Sequence, residues 1–272
     1  MCGFGSIAAM AAVTKDAAKP APAAAKATES KAAASLPKLS AEQIVDRNVV
    51  ARGGLDGWRK IESMTLTGKL EAGGKTNPEL PFVMRMKRPH KSRLEIRFKD
   101  QTAVQVYDGV SGWKVRPFLN RDDVEPYTAE EAKQAKAWEE LDGPLVDFAK
   151  KGTKLALAGT GKVEGRDAYA LKLTMKDGRE RTIWIDGSTF LELKIDGEPR
   201  RIDGKMRNVA VFYRDFKKQQ NGLMVPGMLE TIVDAPKQSP HKMRIEAVAF
   251  NEPMADSLFV KPPMAMAKAA GK

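Results

Sequence analysis

The chain has 272 residues but only one cysteine and two histidines. A single thiol closes no internal disulfide and excludes a multi-cysteine zinc site. With His90 and His241 as the sole imidazoles, a multi-histidine metal centre is not expected either. No apolar run reaches the roughly 18 residues that a membrane-spanning helix needs. Catalytic signatures are also missing: there is no G-x-S-x-G, H-E-x-x-H, phosphate-binding loop or dinucleotide fingerprint. A serine triad would need a histidine base. His90 lies between Pro89 and Lys91 where a strand begins, and His241 follows Pro240 in a loop, so both are expected at the surface. Asp122, Asp123 and Glu125 lack the spacing of a calcium loop and read as a solvated acidic turn. Asp142 and Asp147 flank the apolar stretch GPLV and read as turn and cap residues, not as an acid–base pair. The expectation is a non-enzyme with no cofactor and no metal.

What is present is basic and apolar. Lys and Arg number 46 against 35 Asp and Glu, a net charge of +11. The first 39 residues carry three of those charges and Lys261 to Lys272 another three, which leaves a body of about +5 without Lys/Arg blocks interleaved with aromatics, so no nucleic-acid partner is expected. The basic tails suit an anionic membrane surface. Fourteen of the first 39 residues are Ala. That segment cannot bury enough to offset the entropy of ordering, so Thr14 to Lys38 reads as a flexible tether. Before it, GFGSIAAMAAV resembles the end of a secretory signal, although a basic leading region is missing. Cys2 reads as a free thiol in this tail. The division is therefore a disordered tail over 1–39, a domain over 40–262 and a second tail over 263–272.

The domain opens with a helix. Ser40 is an N-cap with Gln43 as capping-box partner, Ile44, Val45 and Val49 keep a helical period, and Gly53-Gly54 stop it. Leu55, Trp58 and Ile61 suggest a second short turn. The period then drops from about 3.6 to 2. Leu66 and Leu70, then Phe82, Met84 and Met86, then Leu94, Ile96 and Phe98 alternate with polar residues, and Val106 and Trp113 follow. Turns at Asp108-Gly109, Asp177-Gly178 and Asp186-Gly187 separate later strands. Residues 120–141 form a polar interlude in which Thr128 caps a candidate helix carrying Trp138 and Leu141. The count is about ten or eleven strands with one candidate helix among them. Parallel sheets need crossover helices, so the fold class is mainly β: one highly curved antiparallel sheet covered by a few helices.

Several segments, in order, carry a family resemblance. They are ARGGLDGWRKIESMTLTGKL at 51–70, KRPHKSRLEI at 87–96 and VYDGVSGWKVRPF at 106–118, then DGPLVD, VEGRDAYALKL, WIDGSTFLELK and GLMVP followed by LE. Over some 220 residues this set resembles the LolA-like outer-membrane lipoprotein-sorting proteins. The resemblance implies an incomplete antiparallel β-barrel whose open side helices cover. It implies a monomeric periplasmic carrier whose partners are lipoprotein acyl chains or lipids, with transient contact to an anionic membrane or to membrane-bound donor and acceptor proteins. The apolar groove would then be lined by Leu66, Phe82, Met84, Met86, Leu94, Ile96, Phe98, Val106 and Trp113, under a lid containing Trp138 and Leu141. Thirteen methionines suit exchangeable apolar guests. The alternative is a binding or sensor module with a filled core that recognises a peptide or a membrane partner.

Overall fold

The computed structural model describes residues 36–71, 78–117, 121–129, 131–132, 135, 140–197, 199–202, 205–235 and 238–262. The tails over 1–35 and 263–272, and Trp138, lie outside the described residues. Two helices lead, α1 (Ala41–Ala51) and α2 (Leu55–Arg59). The first series of strands is β1 (Ser63–Glu71), β2 (Glu79–Lys87), β3 (Lys91–Phe98), β4 (Gln101–Tyr107), β5 (Gly112–Arg116) and β6 (Arg121–Pro126). The second is β7 (Lys154–Val163), β8 (Arg166–Thr174), β9 (Glu180–Asp186), β10 (Glu192–Asp196), β11 (Arg200–Ile202), β12 (Lys205–Arg207), β13 (Val209–Arg214), β14 (Lys217–Lys218), β15 (Met224–Val225), β16 (Met228–Val233) and β17 (His241–Phe250).

Thirteen strands form one antiparallel sheet in the order β6-β5-β4-β3-β2-β1-β17-β16-β13-β10-β9-β8-β7. Consecutive hairpins build the wing from β1 to β6. The pairing of β1 with β17 joins this wing to the second, so that the first and last strands are the central seam. β6 and β7 are the two edges, and the sheet does not close. A sheet of more than about ten strands cannot stay flat, because each strand twists against its neighbour. Register shifts in β1, β5, β7 and β10 add local bends. At the β1 bulge, Gly68 lets β17 approach closely: a Cβ there would stand 1.9 Å from the Arg244 carbonyl oxygen.

One apolar cluster joins side chains from both wings, among them Leu66, Phe82, Leu94, Leu171, Ile183 and Val211, so the sheet wraps around a shared interior. Helix α1 fills part of it. Ala41, Ile44, Val45, Asn48 and Val49 are its buried stripe, and the Ser40–Gln43 capping box forms in both directions. Leu36 and Leu39, just before the helix, pack against the same cluster. The Tyr169 hydroxyl donates to the Pro37 carbonyl at 2.8 Å.

The strand count exceeds the expected ten or eleven for two reasons. The acidic stretch read as a turn is the edge strand β6, where Glu125 pairs with Arg116 at 2.7 Å. A strand with one free edge tolerates charge that a central strand would not. Outside the main sheet, β11 and β12 form a small ribbon, and β14 with β15 form another.

Candidate functional site

Two short elements close the inner face of the sheet. One is α1. The other is the stretch from Glu140 to Lys151 that connects the two wings. Leu141 is 2% exposed, and Leu145 and Val146 are fully buried against the strands. A short irregular segment has no backbone ladder of its own, so side chains must hold it in place. Arg52, itself 3% exposed, donates from Nη1 to the Asp142 carbonyl at 2.8 Å and stands 3.2 Å from Glu192. Its guanidinium lies 4.4 Å over the Trp58 ring, whose Nε1 donates back to the Arg52 carbonyl. The helix end that places Arg52 needs Gly53, at φ 102°, because a Cβ there would meet the Gly222 carbonyl at 2.7 Å.

The carboxylates of this segment do more than cap turns. Asp142, 2% exposed, accepts from Arg88 Nη2 at 2.7 Å and from Lys151 Nζ at 2.6 Å. Arg88 also donates to the Ile61 carbonyl, which ties the start of the β2–β3 turn to the end of α2. Asp147 takes both prongs of Arg59, at 2.8 and 2.6 Å, with Lys150 at 3.3 Å. The Arg59 guanidinium, helped by Lys150, holds the Asp147 carboxyl at about 2. At the far end of the first wing, buried Lys114 on β5 bonds Glu131, and Glu131 and Thr128 cap each other reciprocally. Burial works against the Glu131 anion, yet the Lys114 and Thr128 bonds still hold its carboxyl below the usual range.

Beside the connecting segment lies a cleft of about 950 Å³. Its walls are the β2–β3 turn (Arg88, His90), the connecting segment itself, the β8–β9 hairpin (Met175 to Arg181), Ile195 on β10 and Tyr213 on β13. Charged and polar residues outnumber apolar ones along its walls, and none of the expected groove residues lines it.

Comparison with solved structures identifies the architecture. A LolA superfamily protein from Nitrosomonas europaea superposes with a TM-score of 0.53 at 14% identity, over 82% of this chain and 99% of that one. The fold is LolA-like. A Vibrio parahaemolyticus domain described as outer membrane lipoprotein-sorting gives a TM-score of 0.53 at 11% identity, over 82% of this chain and 97% of its own. A DUF1329-family protein from Desulfovibrio piger gives 0.53 at 15% identity, over 81% and 97%. No family model and no curated protein matches the sequence.

Within this LolA-like sheet the expected groove residues fall into three groups. Leu66, Phe82, Met86, Leu94 and Ile96 are on the inner face and buried in the shared cluster. Met84 and Phe98 are on the same face but only half-buried at its margin. Val106 and Trp113 are not on this face, which corrects the expectation that they line the groove. Register pairs Leu94 with Gln105 and Arg93 with Val106, and Val106 with Trp113, so both project outward. There Val104 and Val106 pack under Met254, Leu258 and Phe259 of the C-terminal segment.

Only His241 departs from the surface position expected of the two histidines. His90 is half-exposed at the cleft, with Nδ1 3.9 Å from Glu140. His241 begins β17 and is half-buried, and burial pushes its pKa down. The sequence reading missed the cationic residues of the cleft. The only local signal was the cluster of charges around the Asp177-Gly178 turn.

Among the described residues no helix is long and apolar enough to cross a membrane.

Proposed function

We propose that the protein is an exported carrier that shelters an acyl chain, lipid or lipoprotein anchor against the inner face of its half-barrel. The observation that carries this reading is the way the inner face is closed. Its cover is not a second sheet but α1 and one irregular segment. Part of that segment's anchoring consists of side-chain ion pairs, at Asp142 and Asp147, and the partly solvated Asp147–Arg59 pair can exchange for water. Displacing such a cover would expose Leu66, Phe82, Leu94 and Ile96 to a guest. Each CH₂ of an entering chain would gain about 0.8 kcal/mol, from which the cost of opening is subtracted. Met84 and Phe98, already half-exposed at the margin, are the natural point of first contact. The LolA-like fold and the periplasmic setting that goes with the resemblance support the same reading.

Native mass spectrometry of the purified protein and titration with a fluorescent fatty acid test it. The expected result is copurified lipid or saturable uptake. Phe98→Glu should abolish uptake while leaving the fold intact, since a charge at the groove margin repels a hydrocarbon. Absence of any apolar ligand in both assays overturns the carrier reading.

A second reading has its own observation. Leu145, Val146, Leu171 and Ile183 are fully buried, so the interior is complete without a guest. In that case the protein is a binding or sensor module that meets a peptide or membrane through its surface. It would then unfold at the same temperature with and without fatty acid.

A further inference from the structure

The two free edges of the open sheet are built differently. β6 carries Arg121, Asp122, Asp123 and Glu125 and ends on Pro126. Charged side chains and a proline are common means of keeping a sheet edge from pairing with another chain. β7, Lys154–Val163, has neither between its ends: the stretch from Leu155 to Gly161 reads LALAGTG. Its only buried residue is Val163, and among the described residues it pairs with β8 alone. Ten residues thus leave about 33 Å of backbone edge open on one side. Both edge pairings contain a bulge, between Lys114 and Arg116 beside β6 and between Leu157 and Gly159 in β7, so a bulge does not set them apart.

The side chains of β7 are unfinished in the same sense. Register sets Leu155 opposite Leu173 and Leu157 opposite Leu171, so both face the interior of the sheet. Leu155 packs against the shared cluster, whereas Leu157 is 42% exposed. One more strand beside β7 would continue the inner face past Leu157.

Charge selects the occupant of this edge. β7 carries Lys154 and Lys162 near its ends and no acid. Lys162 meets Asp167 at 2.7 Å, but both side chains are well solvated, so a competing carboxylate can exchange with that pair. Two copies of the chain meeting antiparallel about Ala158 would set Lys154 and Lys162 against each other twice, and like charges directly opposite destabilise a strand pair. Each copy also carries a net charge of +11. An extended segment with carboxylates at its ends meets neither obstacle.

We propose that the β7 edge is a strand-addition site for an extended acidic segment of a partner protein. The segment pairs antiparallel along Lys154–Val163: its backbone continues the ladder, its inward side chains cover Leu157, and its carboxylates meet Lys154 and Lys162. The bulge reverses the alternation, so Lys154 faces outward with Thr174 while Lys162 faces inward with Thr160. The matching carboxylates therefore lie on opposite faces of the added strand. The site is separate from the expected groove residues and does not depend on the carrier reading.

The test uses a fluorescently labelled peptide, Asp-Thr-Val-Thr-Val-Thr-Val-Asp, whose two acids project to opposite faces. Anisotropy titration of the full chain should show saturable binding. The same peptide with Lys at both ends should bind about tenfold more weakly or worse, and the difference should shrink as salt is raised. Amide hydrogen exchange locates the contact: binding of the acidic peptide should slow exchange in β7 and leave β6 unchanged. Leu157→Asp should lose about tenfold in affinity, since it sets a charge against the inward side chains of the added strand. Val110→Asp makes the same change at a site 85% exposed in the β4–β5 turn and should bind as the wild type does. Absence of binding, equal affinity for the two peptides, or binding without protection of β7 each overturns the proposal. So does a dimer in sedimentation whose β7 amides are protected without peptide, because the edge is then a contact between copies.

Discussion

The two wings of the sheet present the same kind of inner face and end in different states. On the β7–β9 side, Tyr169, Leu171, Ile183 and Ile185 are at most 1% exposed. Helix α1 lies over this side, with Asn48 donating to the Phe190 carbonyl at 2.8 Å and Phe190 stacked on Tyr169. On the β2–β3 side, the face runs out to Met84 and Phe98, which are half-buried. Burial of an apolar strand face therefore has two meanings in one molecule. The α1 side is core, sealed by a helix with its own backbone bonds. The other side grades into a margin where a flexible thioether and an aromatic ring remain accessible.

That contrast can be broken or sharpened by substitution. Leu171→Ala on the sealed side should cost about 2–5 kcal/mol in urea unfolding, because the rigid strands around it cannot collapse into the space. Phe98→Ala should cost clearly less; equal costs would mean that the margin is core as well. Asp142→Asn should cost about 2–3 kcal/mol, since it leaves the Arg88 guanidinium and the Lys151 ammonium facing a neutral group at a buried position. It should also raise the rate of fatty-acid uptake if the connecting segment is the cover. Arg59→Ala should cost little stability, because that pair is partly solvated. Its clearer signature is in titration. The Asp147 carboxyl, held at about 2 against an ordinary 3.8, should return toward the ordinary value, which carboxyl NMR would read. The sign follows from linkage. A depressed carboxylate pKa stabilises the fold above the unfolded value, and that stabilisation is lost as pH falls through the folded one. The smallest effect belongs to His241. Burial lowers its pKa from 6.5, so stability is retained above that pH and declines as pH drops below it. His241→Gln should flatten this slope in thermal melts between pH 7 and 5.

Much of the fold was legible because local chemistry and period agree. Ser40 and Gln43 announced α1, and alternation in β1, β2 and β3 announced half-buried strands. The Asp177-Gly178 pair announced the hairpin in which Gly178 sits at φ 82°. Where both faces of a strand are covered, alternation loses its meaning. In β4, Val104 and Val106 face the C-terminal segment while Ala103 and Tyr107 are buried on the other side. The pattern alone could not tell which set belongs to the interior, and Val106 and Trp113 were misplaced for that reason.

The sequence by itself determined the antiparallel class, the capped first helix and the turns, since each depends on residues within a few positions of one another. The tertiary structure decided the rest. It paired β1 with β17 across the length of the domain, set the Asp142 and Asp147 carboxylates against Arg88, Lys151 and Arg59, and gathered Arg88, Lys151, Lys176 and Arg181 around one cleft. Charges spread over almost a hundred residues of chain become one electrostatic feature only when hairpin ends from both wings meet at the same place. Register and curvature decide that meeting, and neither is encoded in any short stretch of the chain.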